Sequence, residues 1–179
     1  MIKKILAAWA ILMMLLEPVV EAESYRDDFS YQANVEGDGW LSPVKLGEVA
    51  GTTMQAKRLE ALIINFNGGI KYSAHVQNIG WQGWVYAGKV AGTVGENRRM
   101  EAIKIQLVGN TEKYFDVYYR AHVQNVGWLG WAKNGEPAGT AGASLRMEAI
   151  QIQLVEKGSY FERGNKPPFA QAVPKVPTV

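Results

Sequence analysis

The chain has 179 residues, of which 47% are hydrophobic, 11% aromatic and 20% charged, and its net charge is +2. These proportions exclude a mainly disordered chain, and 19 Lys and Arg spread evenly against 17 Asp and Glu give no basic stripe of the kind nucleic acid requires. Cysteine is absent, which excludes disulfide scaffolds, thiolate zinc sites and cysteine nucleophiles.

Residues 1–22 have the anatomy of a secretory signal peptide. Lys3 and Lys4 form a short positive region, Ile5 to Leu16 is an uncharged apolar run, and Val20 and Ala22 place small residues at the −3 and −1 positions of a cleavage site. The run is shorter than the ~20 residues of a spanning helix, and Glu17 and Pro18 close it. Cleavage after Ala22 is therefore expected, leaving a secreted, extracellular chain without stable membrane insertion, and association with a cell surface would be an extension of that reading. The fold must then be held by burial alone, which a chain of this length can do.

The mature chain repeats itself three times, at about 29–66, 70–107 and 115–155. Tyr72–Leu107 aligns without gaps on Tyr119–Leu154 with 23 identities in 36 positions, and Tyr31–Phe66 aligns on Tyr72–Leu107 with 15. Self-similarity at this level decides the architecture before any single residue does. Each unit opens on a period-two strand, with Tyr72, Ala74 and Val76 alternating with Ser73, His75 and Gln77. Next come a Gly-Trp step, a short strand, a turn glycine and an Ala-Gly-Thr step. The unit closes on a strand with Ile103, Ile105 and Leu107 on one face and Lys104 and Gln106 on the other. Helical spacing fits nowhere after Ala22. The extra residues between the second and third units, Gly109 to Tyr114, read as a loop.

One unit cannot bury its own apolar face, so the three are expected to share a core in a single all-β domain over residues 23–157. A pseudo-threefold, β-prism-like arrangement is the first expectation and a β-trefoil the second. Beyond Lys157 the chain carries Gly158, Gly164, Pro167, Pro168, Pro174 and Pro177, and residues 158–179 read as a disordered Pro/Gly-rich tail.

Comparing the three copies separates two sets of residues. Trp40, Trp81 and Trp128 persist, as do the pairs Arg99/Glu101 and Arg146/Glu148 with their first-unit counterparts Arg58/Glu60. A feature every unit keeps is most simply structural: packing for the tryptophans, and for the Arg–Glu pairs mutual neutralisation helped by Thr93 or Thr140, because strand parity places each carboxylate on the apolar face. His75, Gln77 and Trp84 recur as His122, Gln124 and Trp131, but the first unit has Asn34, Glu36 and Pro43 instead. Parity along an extended segment points Trp84 outward if Trp81 points inward. An exposed ring beside an imidazole and an amide suits a sugar, the ring stacking on the pyranose and the polar groups bonding hydroxyls. The sequence thus suggests two binding sites and not three. The competing reading is a local packing cluster relaxed in the first unit.

No metal spacing, phosphate loop, calcium loop or Ser-His-Asp order appears, and neither cofactor nor metal is expected. The ligand would be a polysaccharide, cell wall or protein surface, and the function that of a non-catalytic binding module. A structural or protein–protein adhesion module is the alternative, and a glycosidase using Glu60, Glu101 or Glu148 a distant one.

The run from His75 to Trp81, with Trp84, Gly88, Ala91, Gly92, Thr93, Gly95, Arg99, Glu101 and Ala102, resembles the clostridial hydrophobic repeat with conserved tryptophan, the ChW repeat. Tyr118 to Trp128, with Trp131, Gly139, Thr140, Gly142, Arg146 and Glu148 to Ile150, resembles it more fully. The resemblance implies a secreted or surface protein of the kind found in Gram-positive anaerobes and streptococci, where such repeats often accompany peptidases, glycosidases or wall hydrolases. It further implies an accessory binding or adhesion role, with carbohydrate as one candidate ligand. The first unit departs from the pattern at Asn34, Glu36 and Pro43.

Overall fold

In a computed structural model, residues 25–171 are described. The signal peptide expected at 1–22 and the end of the tail at 172–179 lie outside the described residues. The first unit supplies β1 (Ser30–Val35), β2 (Gly39–Trp40), β3 (Val49–Gly51) and β4 (Leu59–Asn65). The second supplies β5 (Ile70–Val76), β6 (Gly80–Trp81), β7 (Val85–Tyr86), β8 (Ala91–Gly92) and β9 (Met100–Leu107). The third supplies β10 (Phe115–Val123), β11 (Gly127–Trp128), β12 (Ala132–Lys133), β13 (Ala138–Ala141) and β14 (Met147–Glu156), and β15 (Phe169–Gln171) comes after it. The fold is all-β as expected from the period-two patterning.

Each unit makes a long antiparallel pair from its first and last strands: β1 with β4, β5 with β9, β10 with β14. Its Ala-Gly strand leaves home. β8 of the second unit pairs with β4 of the first, β13 of the third with β9 of the second, and β3 of the first with β14 of the third. The exchange closes on itself, so every sheet is finished by a strand from another unit, and each edge exposed by one unit is covered by the next.

The exchanged strands need glycine. Gly51, Gly92 and Gly139 have φ of +106°, +100° and +117°, and a Cβ on Gly92 would stand 2.3 Å from the Glu60 carbonyl oxygen. At Gly51 and Gly139 the obstacle is the carbonyl of Glu148 and of Glu101, each at 2.4 Å. Both the backbone angle and the approach exclude a side chain. This is the physical content of the recurrent Ala-Gly-Thr step.

The shared core is built from the inward residues of the three long pairs, with Tyr31, Tyr72 and Tyr119 its largest wholly buried side chains. A buried phenol needs partners, and these find them across the unit boundary. The Tyr72 hydroxyl accepts the Ile64 amide at 3.1 Å from the first unit and donates to the Lys89 carbonyl of its own unit. The Tyr31 hydroxyl accepts the Ile152 amide at 3.1 Å from the third unit and donates to the Glu48 carbonyl. The Tyr119 hydroxyl donates to the Glu136 carbonyl in the same way. Each neighbouring isoleucine is held again through its carbonyl, by Gly88 on Ile64 at 2.8 Å, Gly47 on Ile152 at 2.8 Å and Gly135 on Ile105 at 2.7 Å. Burial pushes the Tyr31 phenol up to about 12, and raises Tyr72 and Tyr119 in the same direction.

Two expectations require correction. The insertion before the third unit is not a loop alone: Thr111–Tyr114 forms a single helical turn, α1, because the buried Thr111 hydroxyl donates to the Gly68 carbonyl and pins the turn to the body. A helical turn at 25–27 likewise precedes β1. The tail is not disordered through 171. β15 pairs in parallel with β13, placing Phe169 opposite Gly139 and Gln171 opposite Ala141.

Gly92→Ala should cost at least ~3 kcal/mol, since backbone strain and overpacking add at one position, measured by chemical denaturation, whereas Gly83→Ala, whose Cβ would meet nothing within 4 Å, should be nearly neutral. Tyr72→Phe should cost about 1–3 kcal/mol by orphaning the Ile64 amide and the Lys89 carbonyl. Because the folded state raises the phenol pKa values, the stability they contribute is complete below pH ~10 and declines as pH rises towards 12, by about 2–3 kcal/mol for Tyr31 alone. Urea midpoints measured from pH 8 to 12 should fall over that window.

Candidate functional site

The outer face of each long strand pair carries the recurrent Arg, Glu and Trp residues together with the His or Asn position, and a bulge arranges them. The register of β5 on β9 passes from His75 opposite Ala102 to Val76 opposite Met100, leaving Glu101 as the extra residue. Glu60 and Glu148 occupy the same place in the other pairs. A bulge re-aims a side chain, and here it carries the carboxylate to the histidine side of the sheet, where strand parity had put it on the apolar face. Arg99 donates through two nitrogens to Glu101 Oε1 at 2.9 and 2.7 Å, and Oε2 lies 3.2 Å from His75 Nδ1. The third unit repeats this with Arg146 on Glu148 at 3.0 and 2.8 Å and His122 Nδ1 at 3.1 Å. Among the described residues neither Nδ1 atom makes a hydrogen bond, so each faces the carboxylate as a close contact alone. In the first unit Arg58 bridges Glu60 and Glu36, and the buried Asn34 replaces the imidazole.

The threonines expected to assist do not. Thr93 Oγ1 is buried and has no hydrogen-bond partner among the described residues, and Thr140 Oγ1 reaches the Leu145 carbonyl at 3.4 Å. The bulge explains this too, since it takes the carboxylate away from the Ala-Gly-Thr strand's side chains.

The recurrent tryptophans Trp40, Trp81 and Trp128, expected to pack inward, lie outside the core, and their packing is on the outer face. Trp40 is 37% exposed, and Trp81 and Trp128 are half-buried, edge-on to His75 and His122 with centroids 5.3 Å apart. They sit on two-residue outer strands directly opposite the His or Asn position, so they cover the ion-pair cluster from outside. The core aromatic that recurs in all three units is the tyrosine, with Phe29, Phe66 and Phe115 packed in the same cluster. The inward–outward alternation of Trp81 and Trp84 also fails, because residues 82–84 are not extended strand. In the third unit Arg120 lies 4.7 Å from the centroids of both Trp128 and Trp131, so the two rings share one face.

In the second unit that face is open. Trp84 is 41% and Tyr86 61% exposed, Lys71 Nζ lies 4.9 Å from the Trp84 centroid, and Lys104 Nζ 4.2 Å from the Trp81 centroid. His75 packs on Trp81, not on Trp84, and the half-buried Gln77 receives Arg98 on its backbone carbonyl at 3.2 Å. The expected trio is therefore spread along the sheet, with the two lysines filling in between. Lys71, Lys104 and Tyr86 escape a reading of the sequence alone, although Lys71 and Lys104 share the outward parity of Ser73 and His75.

In the third unit the face is closed. Phe161 stacks on Tyr118 at 4.3 Å and meets Trp131 edge-on at 5.2 Å. Arg163 Nε donates to the Trp131 carbonyl at 2.9 Å, and its guanidinium pairs with Glu136. A cleft of about 290 Å³ remains between Arg120, Trp128 and Trp131 and residues 162–166. Trp131 is thus not an exposed ligand ring, and Gln124 and His122 lie beside a face the chain itself covers. Among the described residues no group of three or more His, Asp or Glu side chains is placed to hold a metal, and no helix is long and apolar enough to cross a membrane.

Removing one partner of the Arg–Glu pair leaves a nearly buried charge. Glu101→Ala should cost ~2–3 kcal/mol in an unfolding titration, below the ~3–5 of a fully buried pair, because the Arg99 side chain keeps 20% of its surface in water.

No curated protein and no solved structure matches the chain. The family described as Clostridial hydrophobic W, ChW, matches at residues 34–68, 75–109 and 122–156, one match for each structural unit. Each match begins at the Asn or His position beside the bulge glutamate and takes in the exchanged strand and the closing strand. The chain belongs to the Clostridial hydrophobic W repeat family.

Proposed function

We propose that the chain is a secreted, non-catalytic binding module that presents the outer face of its second unit to a glycan or cell-wall ligand. The observation that carries this reading is the exposed array of Trp84 and Tyr86, with Lys71 beside the Trp84 ring and Lys104 on Trp81. Aromatic rings offer stacking surface for sugar CH faces, and the two ammonium groups favour an acidic polymer over a neutral one. The first unit lacks the second tryptophan and has Pro43 there, and the third is occupied by the chain's own Phe161, so the second unit is the one left for a ligand. The three-sheet exchange is best read as β-prism-like. The charge–apolar–small pattern of residues 1–22 supports export, and membership of the ChW family is consistent with a place outside the cell or on its surface.

A glycosidase reading has less support. Glu101 and Glu148 each spend one carboxylate oxygen on two bonds from arginine and turn the other towards a histidine, which suits neutralisation better than acid catalysis. The alternative of protein adhesion draws on a specific observation, the peptide segment seated on the third unit.

Binding of the chain to acidic and neutral glycan arrays and to isolated cell walls tests the proposal. Trp84→Ala should weaken binding about tenfold, equivalent to ~1.4 kcal/mol, with an unchanged unfolding midpoint, while Trp131→Ala should leave this binding unaltered. Absence of binding to every glycan and wall preparation would favour the adhesion reading.

A further inference from the structure

The three equivalent exchanged strands have different outer edges. On β8 the edge is closed by a side chain: Gln82 accepts from the Gly92 amide at 2.8 Å and donates to the Gly92 carbonyl at 3.1 Å. In the third unit Leu129 stands at the position of Gln82 and cannot do this. The Gly139 amide is taken instead by the Pro168 carbonyl at 2.9 Å, and β15 extends the sheet. The glycine before the second tryptophan differs as well. Gly83 faces open space, whereas a Cβ on Gly130 would stand 1.9 Å from the Lys166 carbonyl oxygen, so the segment's backbone lies directly on Gly130. Two further backbone bonds hold it, from the Trp131 amide to the Arg163 carbonyl at 2.9 Å and from the Gly130 amide to the Pro167 carbonyl at 3.3 Å.

The occupant is lightly attached. Residues 156–160 are exposed, and no side chain from 157 to 171 is buried. Its hold consists of backbone bonds, the Phe161 ring against Tyr118 and Trp131, one exposed ion pair, and single bonds from the Arg163 and Lys166 side chains to the Trp131 and Val126 carbonyls, the mix by which extended peptides are recognised when they add a strand to a sheet edge. Segments held this way sit at the low-stability end of a structure and open without global unfolding.

We propose that the groove formed by Tyr118, Gly130, Trp131 and the edge of β13 is a peptide-acceptor site, filled here by the chain's own residues 161–171. Its ligand class is an extended segment with an aromatic residue to stack on Tyr118 and an arginine two places on to bridge the Trp131 carbonyl and Glu136. A Pro-Pro step and a short parallel strand on β13 complete it. The same segment offered in trans competes for the groove. The site is particular to the third unit, because Gln82 closes the equivalent edge in the second and Pro43 replaces the ring in the first.

The probe is a fluorescein-labelled peptide of residues 159–171, titrated by anisotropy into the full chain and into Phe161→Ala/Arg163→Ala, in which the internal occupant is weakened. The double variant should bind one peptide with an apparent affinity at least tenfold above that of the wild type, and adding Trp131→Ala should abolish the gain. Equal binding by wild type and double variant, or none by a folded double variant, would overturn the proposal. A double variant that fails to fold would overturn it too, since the segment would then be an obligate part of the core. The glycan reading is independent: Trp84→Ala should leave peptide binding unchanged, so either reading can fail alone.

Discussion

Everything in this molecule depends on each unit completing the sheet of another. A unit of this length exposes one apolar sheet face and one raw strand edge, and neither can stay in water. Sending the Ala-Gly strand across to the neighbour closes the edge, and the tyrosine hydroxyl that takes the same route closes the core. The buried phenol bridges the amide of one unit and a carbonyl of the next. The isoleucine it touches is bound a second time through its own carbonyl. Three such junctions run in one direction around the molecule. No unit is complete without the others, because each sheet takes its last strand from another unit.

The glycine of the exchanged strand is where this constraint meets the sequence most directly. Its backbone presses on the carbonyl of the bulge glutamate in the neighbouring unit, at Glu60, Glu101 and Glu148. The residue that forms the bulge on one face therefore receives the foreign strand on its backbone while its side chain serves the other face. Core closure and outer-face chemistry are coupled through a single position, which explains why Arg, Glu and Gly persist together in all three units.

Above that common frame the units diverge. The first replaces the imidazole by Asn34 and the second ring by Pro43, and satisfies its arginine with Glu36. The second keeps both rings, places lysines beside them and seals its strand edge with Gln82. The third exchanges the two lysines for Tyr118 and Gln151 and Ser73 for Arg120, and receives the tail. Three copies of one scaffold thus present three different surfaces, one plain, one open and one occupied. Divergence at the surface is cheap because none of these side chains belongs to the shared core.

The repeat boundaries, the all-β class, the alternation of the long strands and the adjacency of Arg and Glu were legible from the sequence, because period-two burial and near-neighbour pairing are local. The internal repeat even separated scaffold positions from variable ones. Only the tertiary structure decided which way side chains face where the local rule breaks. One inserted residue per strand pair turns Glu101 from the apolar side to the histidine side, and the break in strand at residues 82–84 leaves Trp81 and Trp84 both against outward-facing lysines. Strand parity put Tyr72 on the face of Ala74 and Val76, but its choice over tryptophan as the recurrent core ring was hidden, since either ring could fill a core and only the amide of another unit, with a carbonyl of its own, selects the hydroxyl. The tail reads as polar, with glycine and proline, and local composition could not reveal that a leucine, a glycine and an unpaired strand edge far back in the chain prepare its seat. Local sequence determined the elements and their repetition; long-range backbone pairing, with partners in another unit, decided what each element was for.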